Sequence, residues 1–170
     1  MKFSRFLGLS VLCLCLNNNG ASAQTDSATQ SALLITVTPV SSSVILGKPA
    51  LVKISLTNIS KQTVTLEVFA PHPAYHLFDF SLTAHGQNVQ ETPLHRSVKN
   101  RQRVEDPPAD LSLRSILVDI QPGTTRVYEA NLADLFGLEE ATSYNLVVSM
   151  TDPVSGARIV APEVSISVVK

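Results

Sequence analysis

One stretch constrains the fold more than any other. From Val52 to Thr57, apolar Val52, Ile54 and Leu56 alternate with polar Lys53, Ser55 and Thr57. Successive side chains of an extended chain point to opposite faces, so this stretch has one apolar face and one wet face. That pattern marks an antiparallel strand with a single buried side. It recurs at Leu33/Ile35/Val37, Val64/Leu66/Val68, Phe78/Phe80/Leu82, Tyr144/Leu146/Val148/Met150 and Val164/Ile166/Val168. Leu111 to Ile120 resumes apolar spacing, and Val127 and Glu129 lie in a strand with Tyr128 on the opposite face.

Turn signals separate these stretches. Ser41-Ser42-Ser43 and Leu46-Gly47-Lys48-Pro49 flank Val44-Ile45, and Asn58-Ile59-Ser60-Lys61 follows the clearest strand. His85-Gly86 turns a hairpin whose return strand begins at Val89. In Gln121-Pro122-Gly123-Thr124, proline presets φ and glycine supplies a positive φ. Asp152 to Gly156 makes the last turn. One short helix is expected: Asn131 caps it, Leu132, Leu135 and Phe136 share a face, and Gly137 stops it. His72-Pro73-Ala74-Tyr75-His76 contains a proline and is expected not to be helical. The sum is an all-β, antiparallel sandwich of about eight strands with one short helix. A parallel α/β fold would need long helices between its strands.

The N-terminus predicts export. Lys2 and Arg5 precede an apolar run from Phe6 to Leu16, and Ala21-Ser22-Ala23 offers a small-x-small cleavage site. The run is shorter than the roughly 20 residues a membrane helix needs. The expected organisation is a signal peptide over 1–23, a flexible leader over 24–31 and one sandwich domain over 32–170. The protein would then be secreted or periplasmic, with no membrane insertion after cleavage. Both cysteines, Cys13 and Cys15, fall in the removed segment. Leucines precede each of them, which argues against a lipid anchor. The processed chain would therefore have no disulfide and rely on its core alone.

Losing Lys2 and Arg5 takes thirteen basic residues to eleven, against fourteen acidic ones, a net charge of about −3. That balance disfavours nucleic acid, which demands a clustered positive surface.

Tyr144 stands near the start of a late strand, where a structural tyrosine hydroxyl bonds upstream backbone in sandwich domains. Leu46 to Val64, Phe78 to Gly86, Ile120 to Gly123, Asn131 to Phe136 and Tyr144 to Val148 together resemble secreted bacterial immunoglobulin-like modules. More distantly they look like the bacterial proteinase-inhibitor sandwich family and the sandwich pro-region of some secreted metallopeptidases. The shared residues are turn and core residues, so the resemblance implies an immunoglobulin-like fold and transfers no functional residue. It departs at Thr142-Ser143, where a glycine usually precedes the late tyrosine.

Chemistry-bearing patterns are sparse. His72, His76, Asp79 and His85 cluster in sequence, but no single strand or helix face presents all four. There is no G-x-S-x-G elbow, phosphate-cradling glycine loop, H-E-x-x-H or calcium loop. Glu139-Glu140 and Asp106 to Asp110 read as solvated charges. Asn58-Ile59-Ser60 matches a glycosylation sequon but reads as turn chemistry. No catalytic residue, metal ligand or cofactor is assigned. Two regions suggest contact with a protein partner. Tyr75, with His72 and His76 beside it, reads as an exposed aromatic anchor. The polar loop from Lys99 to Asp110, with Arg101 and Arg103, reads as a recognition loop. The expected function is a non-catalytic binding module acting through loops or a sheet edge. Alternatives are a secreted proteinase inhibitor and a periplasmic metal carrier. Oligomeric state is not encoded in these patterns.

Overall fold

The computed structural model describes residues 31–70, 72–99 and 114–170. Residues 1–30, which hold the expected signal peptide and most of the expected leader, lie outside them, as do Arg101 and Arg103. The alternating stretches become strands: β1 (Leu33–Pro39), β2 (Ser43–Ile45), β3 (Leu51–Asn58), β4 (Val64–Ala70), β5 (Asp79–Ala84), β6 (Gln87–Asn88), β7 (Arg114–Ile120), β8 (Thr125–Asn131), β9 (Ser143–Thr151), β10 (Arg158–Val160) and β11 (Val164–Val169). Helical turns are α1 (Pro73–Leu77), α2 (Pro93–Lys99) and α3 (Leu132–Leu135).

One sheet runs β1-β3-β8, and the other β2-β11-β9-β5-β6 with β10 beside β9. All pairings are antiparallel except β2 with β11. The first strand region is thus split. β1 joins one sheet, and the Ser41–Ser43 bend sends β2 across to the other. This is an all-β, immunoglobulin-like antiparallel sandwich. Leu33, Ile35, Val52, Ile54 and Leu56 from one sheet meet Phe80, Leu82, Leu146, Val148, Ile166 and Val168 from the other in one buried core.

Two counts differ from the sequence reading. The described residues hold eleven strands, because β2, β6 and β10 are two or three residues long and too short for periodicity to register. They also hold three helical turns instead of one. The segment after His72 is helical because Pro73 occupies the first turn, where a proline's missing N–H leaves no bond unmade. Likewise Pro93 follows Thr92, whose Oγ1 accepts from the His95 amide at 3.2 Å and caps α2.

Beyond the β3–β8 ladder, the chain runs on from β3 into β4 and reaches β8 from β7. β4 pairs with β7 as a separate two-stranded ribbon, Val64 opposite Ile120 and Ala70 opposite Arg114. Both chains bend between the two ladders. Asn58 sits at that corner with 0% exposure. Its amide nitrogen donates to the carbonyls of Gln62 at 2.7 Å and Ile120 at 2.8 Å, and its oxygen accepts from the Ser60 amide at 2.9 Å and hydroxyl at 2.8 Å. The sequon asparagine is a buried corner residue with every polar atom satisfied. Across the corner, Pro122-Gly123 makes the turn with φ +72° at Gly123. The Thr124 amide bonds the Gln121 carbonyl at 3.0 Å, which closes a type II turn. At the other hairpin, His85 at φ +52° and Gly86 at φ +76° form a type I′ turn, and the Val89 amide bonds the Leu82 carbonyl.

Candidate functional site

Three of the residues nominated from sequence, His72, Tyr75 and His76, come together around α1, but not as an exposed anchor. Tyr75 is buried, at 7% exposure. Its hydroxyl donates to Asp134 Oδ2 at 2.8 Å and accepts from the Asn131 amide at 3.2 Å. Burial first, and the bond to Asp134 second, push its hydroxyl up to about 12. Asn131 in turn caps α3, its side chain accepting from the Ala133 amide and donating to Asp134 Oδ1 at 2.9 Å. Tyr75 therefore ties α1 to the start of α3. The expectation of a contact anchor is corrected: the single helical turn at Pro73 swings the ring inward, where it meets Phe80 edge-on at 6.5 Å.

His72 and His76 remain on the exposed side of α1. The His72 ring stacks on Tyr75 at 5.2 Å, and His76 tilts against Phe69 at 5.7 Å. Burial and the neighbouring His72 hold His76 below the usual histidine value. His76 faces a shallow hollow of about 210 Å³, lined also by Glu67, Asp79, Met150 and Thr151. That volume is under the ~300–1,000 Å³ of ordinary small-molecule pockets. Among the described residues, no three His, Cys, Asp or Glu side chains are grouped as an ion would require. His85 is apart from the other two, near Thr142 Oγ1 at 3.2 Å and Glu140 Oε2 at 3.7 Å. Both partners approach the same ring nitrogen, Nε2. A general base needs its acid on the other nitrogen, so this hydroxyl–imidazole–carboxylate group lacks the geometry of a triad. Arg101 and Arg103 lie outside the described residues.

Sequence reasoning missed His95. Its α2 ring is 4% exposed and meets Phe136 edge-on at 4.8 Å. Nδ1 has no hydrogen-bond partner and stands 3.9 Å from Glu91 Oε1, which Lys99 Nζ holds at 2.8 Å. Burial lowers the His95 pKa, outweighing the pull of Glu91. The only available signal was Thr92-Pro93, a helix-start pair.

It also missed the character of β7. Leu117, at 72% exposure, is the most exposed large apolar side chain among the described residues, and Ile116 is 49% exposed. Ile116 pairs with buried Val68 and Val118 with buried Leu66, so the core face of the ribbon runs off its own edge here. β7 pairs with β4 on one side and with no described strand on the other. The remaining edges are guarded. β2, β6 and β10 are very short, β8 carries Arg126 and Glu129, β1 packs against β10 and β11, and α1 packs on β4. Short length, charge and cover are the ordinary defences of a sheet edge. Among the described residues, β7 has none of the three from Ser115 to Val118. The signal was legible: Ile116-Leu117-Val118 is an apolar run without alternation.

No family model and no curated protein matches the sequence. Similar solved structures include the CARDB domain of a Pyrococcus furiosus protein in complex with di-metal ions, 11% identical with a TM-score of 0.42, covering 82% of this chain and 89% of that one. Another is a β-glucosidase from Listeria innocua in complex with glucose, 14% identical with a TM-score of 0.41. The likeness covers 83% of this chain and 16% of the glucosidase.

Proposed function

We propose that this protein is an exported, non-catalytic interaction module that takes up an extended segment of a protein by strand addition on β7. The observation that carries the reading is the β7 edge, whose central Ile116-Leu117-Val118 presents apolar side chains to both faces and which is unpaired on its outer side among the described residues. An added strand would satisfy the outward backbone groups of β7 and cover Ile116 and Leu117. Backbone bonds supply affinity in this mode, and the flanking side chains supply selectivity. Export is supported by the Lys2–Ala23 pattern, and predicts a processed chain beginning at Gln24 on N-terminal sequencing.

Site-specific photo-crosslinking in cells tests the reading. A photoreactive residue in place of Leu117 should give discrete protein adducts. The same residue in place of Val154, 65% exposed but in the Asp152–Gly156 turn, should give none. Equal labelling at both positions, or none at 117, overturns it. The inhibitor alternative has a specific requirement, an exposed loop that fits a protease cleft. The loop from Lys99 to Asp110 is the candidate, and its cleavage by secreted proteases without inhibition would end that alternative.

A further inference from the structure

We infer that the strand added to β7 is the β7 of a second copy, paired antiparallel about a two-fold axis at Leu117. This deepens the strand-addition reading and rests on it.

The argument is the self-complementarity of the strand. An antiparallel pair related by a two-fold axis perpendicular to the sheet must place one residue opposite its own copy. Leu117 is the midpoint of Arg114–Ile120, so only a centre at Leu117 engages all seven residues of β7. That register sets Leu117 against Leu117, Ile116 against Val118, and Ser115 against Asp119 of the other copy. The most exposed apolar side chain thus meets its own equivalent, with Cβ atoms ~4.5–5.5 Å apart in any directly opposed pair.

The other face gains more. Within one copy Leu66 neighbours Val118, and Val68 neighbours Ile116. In the pair, the row becomes Leu66, Val118, Ile116 and Val68, the last two from the second copy. The apolar strip that stops at the half-exposed edge of one molecule continues into the core of the next. Charges fit as well. Asp119, which accepts from Thr65 at 2.7 Å, is set opposite Ser115 and not opposite its own copy, the Ser115 hydroxyl donating to Glu67 within its own copy. Glu67 lies beside Leu117 on the inner strand, so the two copies of Glu67 stand three strand spacings apart, about 14 Å. That exceeds the ~8–10 Å screening length at moderate salt. A centre one residue along, at Val118, would instead oppose Leu117 to Asp119.

The test uses the full chain with Cys13→Ser and Cys15→Ser, which leaves no other thiol. Sedimentation across a concentration series should show a monomer–dimer equilibrium. Leu117→Lys should weaken dimerisation by on the order of tenfold or more, since it opposes two like charges at the axis. Val154→Lys should leave it unchanged. Leu117→Cys should form an interchain disulfide, or be bridged by a short dithiol linker, far faster than Val154→Cys. A monomer at every concentration, a dimer indifferent to Leu117→Lys, or equal cross-linking at 117 and 154 overturns the inference. The thermal melt of each variant shows that it is folded. If copies do not associate while photo-crosslinking at 117 still yields adducts with other proteins, the second-copy inference fails and the strand-addition reading stands. If both are negative, both fail.

Discussion

Asn58 and Asp152 are the polar side chains that the fold can least do without, because each is fully buried and each satisfies several backbone groups at a bend. Asn58 serves the corner between the β3–β8 and β4–β7 ladders. Asn58→Ala would remove the side-chain bonds to the Ile120 carbonyl and the Ser60 amide and leave the Gln62 carbonyl only the Ser60 hydroxyl at 3.0 Å, at a cost of about 2–4 kcal/mol. Asn58→Asp should be as damaging, since it turns a carboxylate toward two carbonyls. Urea midpoints of the two variants check this, and a change under 1 kcal/mol would refute the corner role. Asp152 accepts from the Ser31 hydroxyl and the Ala32 amide at 2.7 Å each, and from the Val154 amide at 2.8 Å. Burial alone would raise its pKa, but these bonds together outweigh burial and hold it below the usual carboxylate value. A depressed folded pKa contributes stability that is present above the unfolded value near 3.8 and lost as pH falls through the folded one. Asp152→Asn should therefore lower stability at pH 7 and flatten the acid limb of a pH–stability curve. An acid limb identical in both proteins would exclude Asp152 as its source. Tyr144 meets its sequence expectation: its hydroxyl donates to the Glu140 carbonyl at 3.0 Å and accepts from the Glu140 amide at 3.2 Å, four residues upstream.

Single elements show how little local sequence is needed to start a helical turn and how much tertiary contact is needed to keep it. α2 is seven residues long, too short to be stable alone. It is held by the Thr92 cap, by the Thr92 amide on the Leu135 carbonyl at 2.9 Å, and by His95 on Phe136. His95 carries a folded pKa lowered by burial, so the folded state prefers the neutral ring. Its contribution is complete above the unfolded value near 6.5 and is lost as pH falls below it. Stability should thus fall between pH 7 and pH 5. His95→Phe, similar in shape and unable to titrate, should remove that part of the slope. Amide exchange over α2 should speed up at pH 5, after correction for intrinsic rates, in the wild type alone. An unchanged slope in the variant would rule out the His95 contribution.

At the scale of the molecule, the start of the domain is set by burial and not by the leader's composition. Ser31 belongs compositionally to the polar leader, yet it is bonded to Asp152, and Leu33 two residues on is 1% exposed. A chain shortened to begin at Ser31 should melt where a chain beginning at Gln24 melts. One beginning at Ile35 loses Leu33 and both N-terminal partners of Asp152, and should melt roughly 10 °C or more lower. Equal melting of the two shortened chains would move the boundary inward. The same burial logic gives the molecule its asymmetry. One pair of sheets closes over a shared core, while the β4–β7 ribbon leaves its outer strand uncovered among the described residues.

Alternation at Val52–Thr57 and its repeats determined the class of fold, because a period of two on an extended chain leaves no choice of which side chains go inside. The turn residues at His85-Gly86, Pro122-Gly123 and Asn131 were equally legible, since their conformations depend on only a few neighbouring residues. Tertiary structure alone decided that Tyr75 turns inward, that His95 is sealed against Phe136, and that Asn58 lies at a corner. Each of those depends on a partner 41 to 62 residues away, Asn131 and Asp134 for Tyr75, Phe136 for His95 and Ile120 for Asn58, and chain periodicity carries no record of such distances. The open edge of β7 belongs to the same group, because a strand's apolar run is written in its residues while the absence of a neighbour is settled only by where all the other strands go.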